Sequence, residues 1–419
     1  MIDKYKVEIF DIWQYLCQTV YEPLIRCRID FSNPIDENIL KRAVTLSLEA
    51  VPLINACFDG VSFRPRWIKK NFTGHDIVHV VKADLDTNKQ IISLFSSNID
   101  FTTEPQLKIH LIKKTDGDTA CIIINHIVCD GAGFKEYLYL LSDLYTKCKN
   151  NEAIFLPEYH HRGIGHLFAG IPLAEKIGII RSNYNAYDSS TEREQNGVTF
   201  EPGANSPFME TCVISKENLA QIKVFAKEKG ATLNDMIMTA FARVFCVKTG
   251  TDKIMLPSTM NLRKYIPSGK YGIANLSTNC MCNISIQEND LFADTLKQVS
   301  EQMQQHKSNK NILKSVMLWN LAVHILPFRF LKRHYTQIVK LPVVSFTNLG
   351  IVNNELLNFK DALIENVYLT ASIKSSPFFQ LTASTYNDNC TLSCNIYGAD
   401  CDKKWVECFL DDVRSELQF

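Results

Sequence analysis

The run Cys121-Ile122-Ile123-Ile124 is apolar at four successive positions and ends in Asn125-His126-Ile127-Val128-Cys129-Asp130-Gly131-Ala132-Gly133. A strand with one face in water alternates apolar and polar residues; one that is apolar throughout is covered on both faces and belongs inside a sheet. Beyond it, Phe134, Tyr137, Leu138, Leu141, Leu144, Tyr145 and Cys148 recur at spacings of three and four, which predicts an amphipathic helix. A buried strand, a turn and a packed helix in that order make a strand-turn-helix junction. They also deliver a single histidine, His126, from the end of the strand into the turn, which is how a general base is presented to a cleft.

The surrounding chain reads in the same way. Leu107, Ile109 and Leu111 alternate with Lys108 and His110, and Asp116-Gly117 supplies a turn, so residues 106–126 read as a hairpin whose first strand is half exposed and whose second is buried. Asp36 caps a helix that runs to Val51-Pro52, and Val51 to Phe58 then turns strand-like. Residues 185–205 are polar and aperiodic, and predict a linker between an N-terminal lobe, 1–184, and a C-terminal lobe, 206–419. The second half restarts with a strand over Phe208–Val213 and a helix over Lys216–Lys229. Thr232 and Asp235 then form a capping-box pattern ahead of a helix with Leu233, Ile237, Ala240, Phe241, Val244 and Phe245 on one stripe. The chain has 419 residues, 46% of them apolar, enough to fill two cores.

Composition narrows the function classes. Lys+Arg and Asp+Glu number 45 each, so the chain lacks the basic field that binding nucleic acid requires. The first residues include acids where a secretory signal carries only bases, which predicts a cytoplasmic protein. The most membrane-like run, Val316 to Leu331, is interrupted by Asn320, His324, Pro327 and Arg329 and falls short of the ~20 apolar residues of a span, so no transmembrane segment is expected. It reads instead as a buried helix or one lining an apolar tunnel. Of the 14 cysteines most sit in apolar runs, as Cys57, Cys121, Cys246 and Cys408 do, where a thiol acts as a small hydrophobe and stays reduced. The close pairs, Cys280 with Cys282 and Cys390 with Cys394, suit one face of a strand better than a metal knuckle, and no metal site is expected. His160, His161 and His334 lie near charges or turns and read as solvated.

The order His126-x-x-x-Asp130-Gly131 resembles the signature of the coenzyme-A-dependent acyltransferase superfamily, which takes in chloramphenicol acetyltransferase, alcohol acetyltransferases, wax-ester synthases and the condensation domains of nonribosomal peptide synthetases. The fuller form is His-His-x-x-x-Asp-Gly, with the second histidine catalytic; here Asn125 replaces the first. Two further segments resemble the same superfamily: the helix followed by Val51-Pro52-Leu53 and a strand to Phe58, and Gly230-Ala231-Thr232-Leu233-Asn234-Asp235, which opens the second half. Pro377–Ser384 and Thr391–Tyr397 read as its closing hairpin. The resemblance implies an α/β fold of two chloramphenicol-acetyltransferase-like lobes, each a mixed sheet packed by helices, with a tunnel between them and His126 midway along it.

An imidazole, with an ordinary pKa of about 6.5, is partly neutral at working pH and can take a proton from an alcohol or amine as it attacks a carbonyl. Taken alone, a histidine after an apolar strand is more readily a satisfied core residue than a base; the two other segments reverse that preference. Asp130 invites a triad role, but the resemblance implies a structural salt bridge to Arg263 in Asn261-Leu262-Arg263, with a solvated Arg263 as the alternative. Gly131 and Gly133 allow a tight turn beneath His126. Val343 to Gly350 resembles the Ser/Thr-Asn-x-Gly element opposite the histidine, so Ser345, Thr347 and Asn348 are candidates for oxyanion or substrate contacts; alternation puts Ser345 and Thr347 on one face and leaves open which residue meets the substrate.

No serine or cysteine elbow is present, which favours direct transfer over an acyl-enzyme. The implied activity is an O- or N-acyltransferase, of the kind found in secondary metabolism, that needs no bound cofactor and uses acyl-coenzyme A as co-substrate with a small-molecule alcohol or amine as acceptor. Its alternatives are a stand-alone condensation domain taking its donor from a carrier protein in trans, and a non-catalytic recruitment module of the same fold.

Overall fold

The computed structural model describes residues 4–61, 63–157, 162–182, 197–266, 272–338 and 341–418. His160, His161 and the predicted linker up to residue 196 lie outside the described residues, and 197–205 carry neither helix nor strand. A five-stranded sheet runs in spatial order Ile364–Thr370, Leu24–Phe31, Gly117–Asn125, Leu107–Lys114 and Val78–Lys82. The strand that leads to His126 is thus the central one, antiparallel to both neighbours, and all nine of its residues are buried. Its two faces feed different apolar clusters. Ile122 and Ile124 join the main core, while Cys121 and Ile123 pack with Ile91 and Phe95 of the helix Thr87–Phe95. Each isoleucine buried in this way contributes about 1.5–3 kcal/mol, which fixes where the strand ends and the turn begins.

A six-stranded sheet follows, in order Ser277–Ser285, Lys253–Asn261, Val344–Val352, Phe379–Tyr386, Asn389–Gly398 and Ser206–Ile214. It is mixed: Val344–Val352 is parallel to both of its neighbours and the other pairs are antiparallel. The closing hairpin turns through Asn387 and Asp388, both at positive φ (50° and 62°), which Asn and Asp tolerate better than other side-chain-bearing residues. A small sheet of Lys4–Lys6, Arg66–Lys69 and Ala56–Asp59 completes the strands.

The strand Ile364–Thr370 pairs with Leu24–Phe31, so the sheet built from the N-terminal part takes in a strand from beyond residue 206. The chain then crosses back through Lys374, bridged to Ile396, into the six-stranded sheet. Buried apolar residues from both halves consequently merge in the main core, and the smaller cluster on the other face of the sheet likewise takes Met209 and Ile373 from beyond residue 206.

Caps follow the expected pattern. The Asp36 carboxylate accepts the N–H groups of Asn38 and Ile39, and Thr232 and Asp235 cap each other reciprocally. The helix Leu233–Thr249 is buried at every position from Asp235 to Ala242, not along one stripe, because other helices and the sheet enclose it. The strand expected from Val51 begins only at Ala56, since Val51 to Asn55 form turns held by Ile54 N–H to Val51 and Asn55 N–H to Pro52.

Three other expectations are corrected. The run Val316–Leu331 is not one buried helix; it falls in two, Leu313–Ile325 and Phe328–Ile338, parted at Leu326-Pro327, with Leu318, Leu321 and Ile325 exposed. None of the described helices is long and apolar enough to cross a membrane. Cys408 is exposed because the helix Asp400–Glu416 turns Val406, Phe409, Leu410 and Val413 inward and that position outward. His334 is half-buried, its ring 4.5 Å from that of Phe330.

Candidate active site

His126 is the first residue past the central strand, and its N–H bonds the carbonyl of Pro23 at 2.7 Å. The turn is shaped by the residue before it. Asn125 is fully buried; its Oδ1 accepts the N–H of Ile127 at 3.0 Å and its Nδ2 donates to Gln106 Oε1 at 3.0 Å. Gln106 in turn donates to the carbonyls of Ala56 and Glu104 at 3.0 and 2.9 Å. Asn125 therefore holds the turn in register with the neighbouring strand.

The imidazole is oriented from the other half of the chain. His126 Nδ1 lies 3.1 Å from Asn275 Oδ1, while Asn275 Nδ2 donates to the carbonyls of His126 (2.8 Å) and Ile127 (3.1 Å). With both amide hydrogens committed to carbonyls, the group facing Nδ1 is an acceptor, so Nδ1 carries the proton and Nε2 keeps its lone pair. Burial lowers the His126 pKa, and its own carbonyl, Asp130 and Asn275 only partly oppose this while the charge of Lys374 adds to the lowering. A pKa below the ordinary value favours the neutral ring near pH 7.

Asp130 turns away from this ring. It caps the helix Gly131–Asn150 through Gly133 N–H (2.9 Å), accepts Leu276 N–H (2.8 Å) and pairs with Arg263 Nη1 at 2.8 Å. Both charged side chains are buried. Arg263 Nη2 also donates to the Ala274 carbonyl at 2.8 Å. Burial alone would raise the Asp130 pKa, but Arg263 and the two N–H donors hold it below the ordinary carboxylate range. Asp130 and Arg263 thus clamp residues 274–276 against the turn and set Asn275 in place. The glycines answer to crowding: a Cβ on Gly131 would sit 2.4 Å from Leu349 Cδ2, and one on Gly133 would be 3.0 Å from the Ala274 carbonyl.

A second pair braces the same turn. Arg162 forks onto Asp11, with both bonds at 3.0 Å, and donates to the carbonyls of Val128 and Ile273. A cavity of about 450 Å³ adjoins it, lined by Glu8, Pro52, Leu53, Arg162, His166 and Ile273; His126 is not among its lining residues. Lys374 is buried with its Nζ 3.4 Å from the centre of the Tyr21 ring and 3.2 Å from Ser372 Oγ, and burial pushes its pKa down to about 7. Tyr21 lies two residues before Pro23, which anchors His126.

The candidate oxyanion strand, Val344–Val352, packs against the start of the helix Gly131–Asn150, where Leu349 meets Gly131 and Lys135 Nζ donates to the Ile351 carbonyl at 3.0 Å. Thr347 is buried and bonded to Thr259 (3.2 Å), Asn348 bonds Asn234 (3.4 Å) and bulges the strand before Gly350, and Ser345 is partly accessible. Asn275, Arg162 and Lys374 escaped the sequence reading: none stands in a motif, and each reaches the turn or its surroundings through folding.

No family model and no curated protein matches the sequence. Solved structures do match its fold. Trichothecene 15-O-acetyltransferase TRI3 of Fusarium sporotrichioides aligns with TM-score 0.70 at 12% identity over 99% of this chain and 95% of that one. Polyketide synthase associated protein 5 of Mycobacterium tuberculosis aligns with TM-score 0.68 at 17% identity over 97% and 96%. The first condensation domain of the calcium-dependent antibiotic synthetase aligns with TM-score 0.69 at 13% identity over 99% and 96%. The chain therefore has the two-lobed fold of the chloramphenicol-acetyltransferase and condensation-domain class, as the resemblance implied.

Proposed function

We propose that the protein is an acyltransferase that moves an acyl group from a thioester donor, acyl-coenzyme A, to an alcohol or amine by direct attack. The observation that carries this reading is the His126–Asn275 contact, which leaves an unprotonated Nε2 on a neutral imidazole. In the proposed reaction Nε2 takes the acceptor's proton as its oxygen or nitrogen bonds to the thioester carbonyl carbon. The oxyanion so formed is held from the Ser345–Asn348 strand, across a tunnel between the lobes; the Thr347 hydroxyl hydrogen is engaged with Thr259, which leaves Ser345 and Asn348 as the side-chain donors. Collapse breaks the carbon–sulfur bond, and the departing thiolate receives the proton from the imidazolium. Asp130 and Arg263 take no part in proton transfer; they hold Asn275.

The test supplies acyl-coenzyme A and an acyl-loaded carrier protein separately, with panels of alcohols and amines, and reads thiol release and product mass. Transfer from acyl-coenzyme A that is lost in His126→Ala supports the proposal. Transfer from the carrier alone would make it a condensation domain, as the fold of one neighbour allows. Turnover in His126→Ala equal to wild type would remove His126 as the base.

A further inference from the structure

The helices Leu173–Arg181 and Leu313–Ile325 pack against each other, yet each turns an apolar stripe outward. Leu173, Ile177 and Ile180 are spaced by four and three, and Leu318, Leu321 and Ile325 by three and four; all six are between 41 and 74% exposed. The next helix, Phe328–Ile338, adds exposed Phe330. Large exposed apolar residues also occur singly elsewhere, as at Leu85 and Val247, but here seven of them fall on three successive or packed helices, and such a grouping marks a contact surface.

Charge decides what fits it. The three helices carry Lys176, Arg181, Lys314, Arg329, Lys332 and Arg333 against one acid, Glu175, in a chain whose overall charge is zero. Glu175 is already paired with Lys310 at 2.9 Å, and among the described residues no carboxylate pairs with Arg181, Arg329 or Arg333. A second copy of the chain docked face to face would bring like charges together. A bilayer with anionic headgroups satisfies both features at once, taking apolar side chains into the acyl boundary and basic ones at the phosphates. The segments, of 13 and 11 residues and broken at Pro327, are too short to span and suit lying in the interface.

We propose that this face docks the protein on the surface of an anionic membrane. The inner sides of the same helices are firmly seated: Trp319 Nε1 donates to the Ile9 carbonyl at 2.9 Å, and Trp13 meets Trp319 and Tyr335 edge-on at 5.2 and 5.8 Å. The helix beneath, Ile9–Cys17, leads within a few residues to Pro23 and the backbone of His126. Docking therefore occurs on helices packed over the element that begins the approach to the site, and it is read without turnover, so it stands or falls separately from the acyl-transfer proposal.

The test is sedimentation of the full-length protein with phosphatidylcholine vesicles and with vesicles containing phosphatidylserine. Binding is expected to the anionic vesicles, to weaken at high salt, and to fall by about 100-fold in the double variant Leu321→Glu/Ile325→Glu and by about 10-fold or more in Arg329→Gln/Arg333→Gln. These side chains are exposed, so unchanged thermal unfolding verifies that the variants fold. Three results would overturn the proposal: no binding by the wild type, binding unaffected by either double variant, or a wild-type dimer in ultracentrifugation that Leu321→Glu/Ile325→Glu dissociates while vesicles go unbound.

Discussion

Replacing Arg263 by Met should cost about 3–5 kcal/mol of folding stability at pH 7, because it leaves the Asp130 carboxylate buried without its cation. The substitution keeps the apolar stem and removes two bonds of 2.8 Å, to Asp130 and to the Ala274 carbonyl. Asp130 would retain only the N–H groups of Gly133 and Leu276. Against a typical total of 5–15 kcal/mol the loss is large, and urea unfolding followed by tryptophan fluorescence would read it as a lower midpoint at unchanged slope. The pH dependence separates this account from simple loss of packing. In the wild type the folded pKa of Asp130 is depressed, so its contribution is present above the unfolded value of about 3.9 and is lost as pH falls through the folded value. In the variant, burial without Arg263 raises the folded pKa above the unfolded one, and the folded state takes up a proton as pH falls. The gap between the two proteins should therefore be widest near neutrality and narrow toward pH 4, and Asp130→Asn/Arg263→Met should recover part of the loss. A variant within about 1 kcal/mol of wild type at pH 7, or a gap that does not change with pH, would refute the reasoning.

His126→Ala should lower thiol release from acyl-coenzyme A by about 100- to 10,000-fold with the fold retained, as checked by circular dichroism. Asn275→Asp should raise the His126 pKa, because a carboxylate facing Nδ1 favours the imidazolium, and so move the acid limb of the kcat/KM profile to higher pH; a profile superimposable on wild type would count against the tautomer assignment. Lys374→Met should also move that limb upward, by removing a charge that lowers the His126 pKa. Because the Lys374 pKa is about 7 when folded and near 10.4 when unfolded, the unfolded chain binds the extra proton between these values and wild-type stability should rise with pH across that window. Urea midpoints measured from pH 7 to 10 should show a smaller rise in Lys374→Met.

Much of the site was legible because it is local. Four apolar residues in a row predicted a strand covered on both faces, and it is the central strand of its sheet, with Ile122 and Ile124 in one cluster and Cys121 and Ile123 in another. The position of His126 at its end follows directly, as do the caps at Asp36 and Thr232. The Asp130–Arg263 pair was expected from resemblance and is present, though periodicity alone would never have joined residues 133 apart. The glycines were read as turn-formers; they also make room for neighbours, Leu349 at Gly131 and both nearby Cys129 and distant Ala274 at Gly133.

Sequence by itself determined most of the elements and the place of one candidate side chain, His126, since hydrophobic period and capping depend on residues within a turn or two of each other. Tertiary structure decided what that side chain is. The proton sits on Nδ1 because Asn275, 149 residues away, spends its amide hydrogens on the carbonyls of His126 and Ile127 and offers only an acceptor to the ring. It decided equally that part of the most membrane-like run faces outward beside a second apolar helix, because Trp319, Val316 and Leu313 fill the inner side and leave Leu318, Leu321 and Ile325 no core to enter. A hydrogen-bond partner or a neighbouring face is a property of packing between distant segments, and no local pattern encodes it.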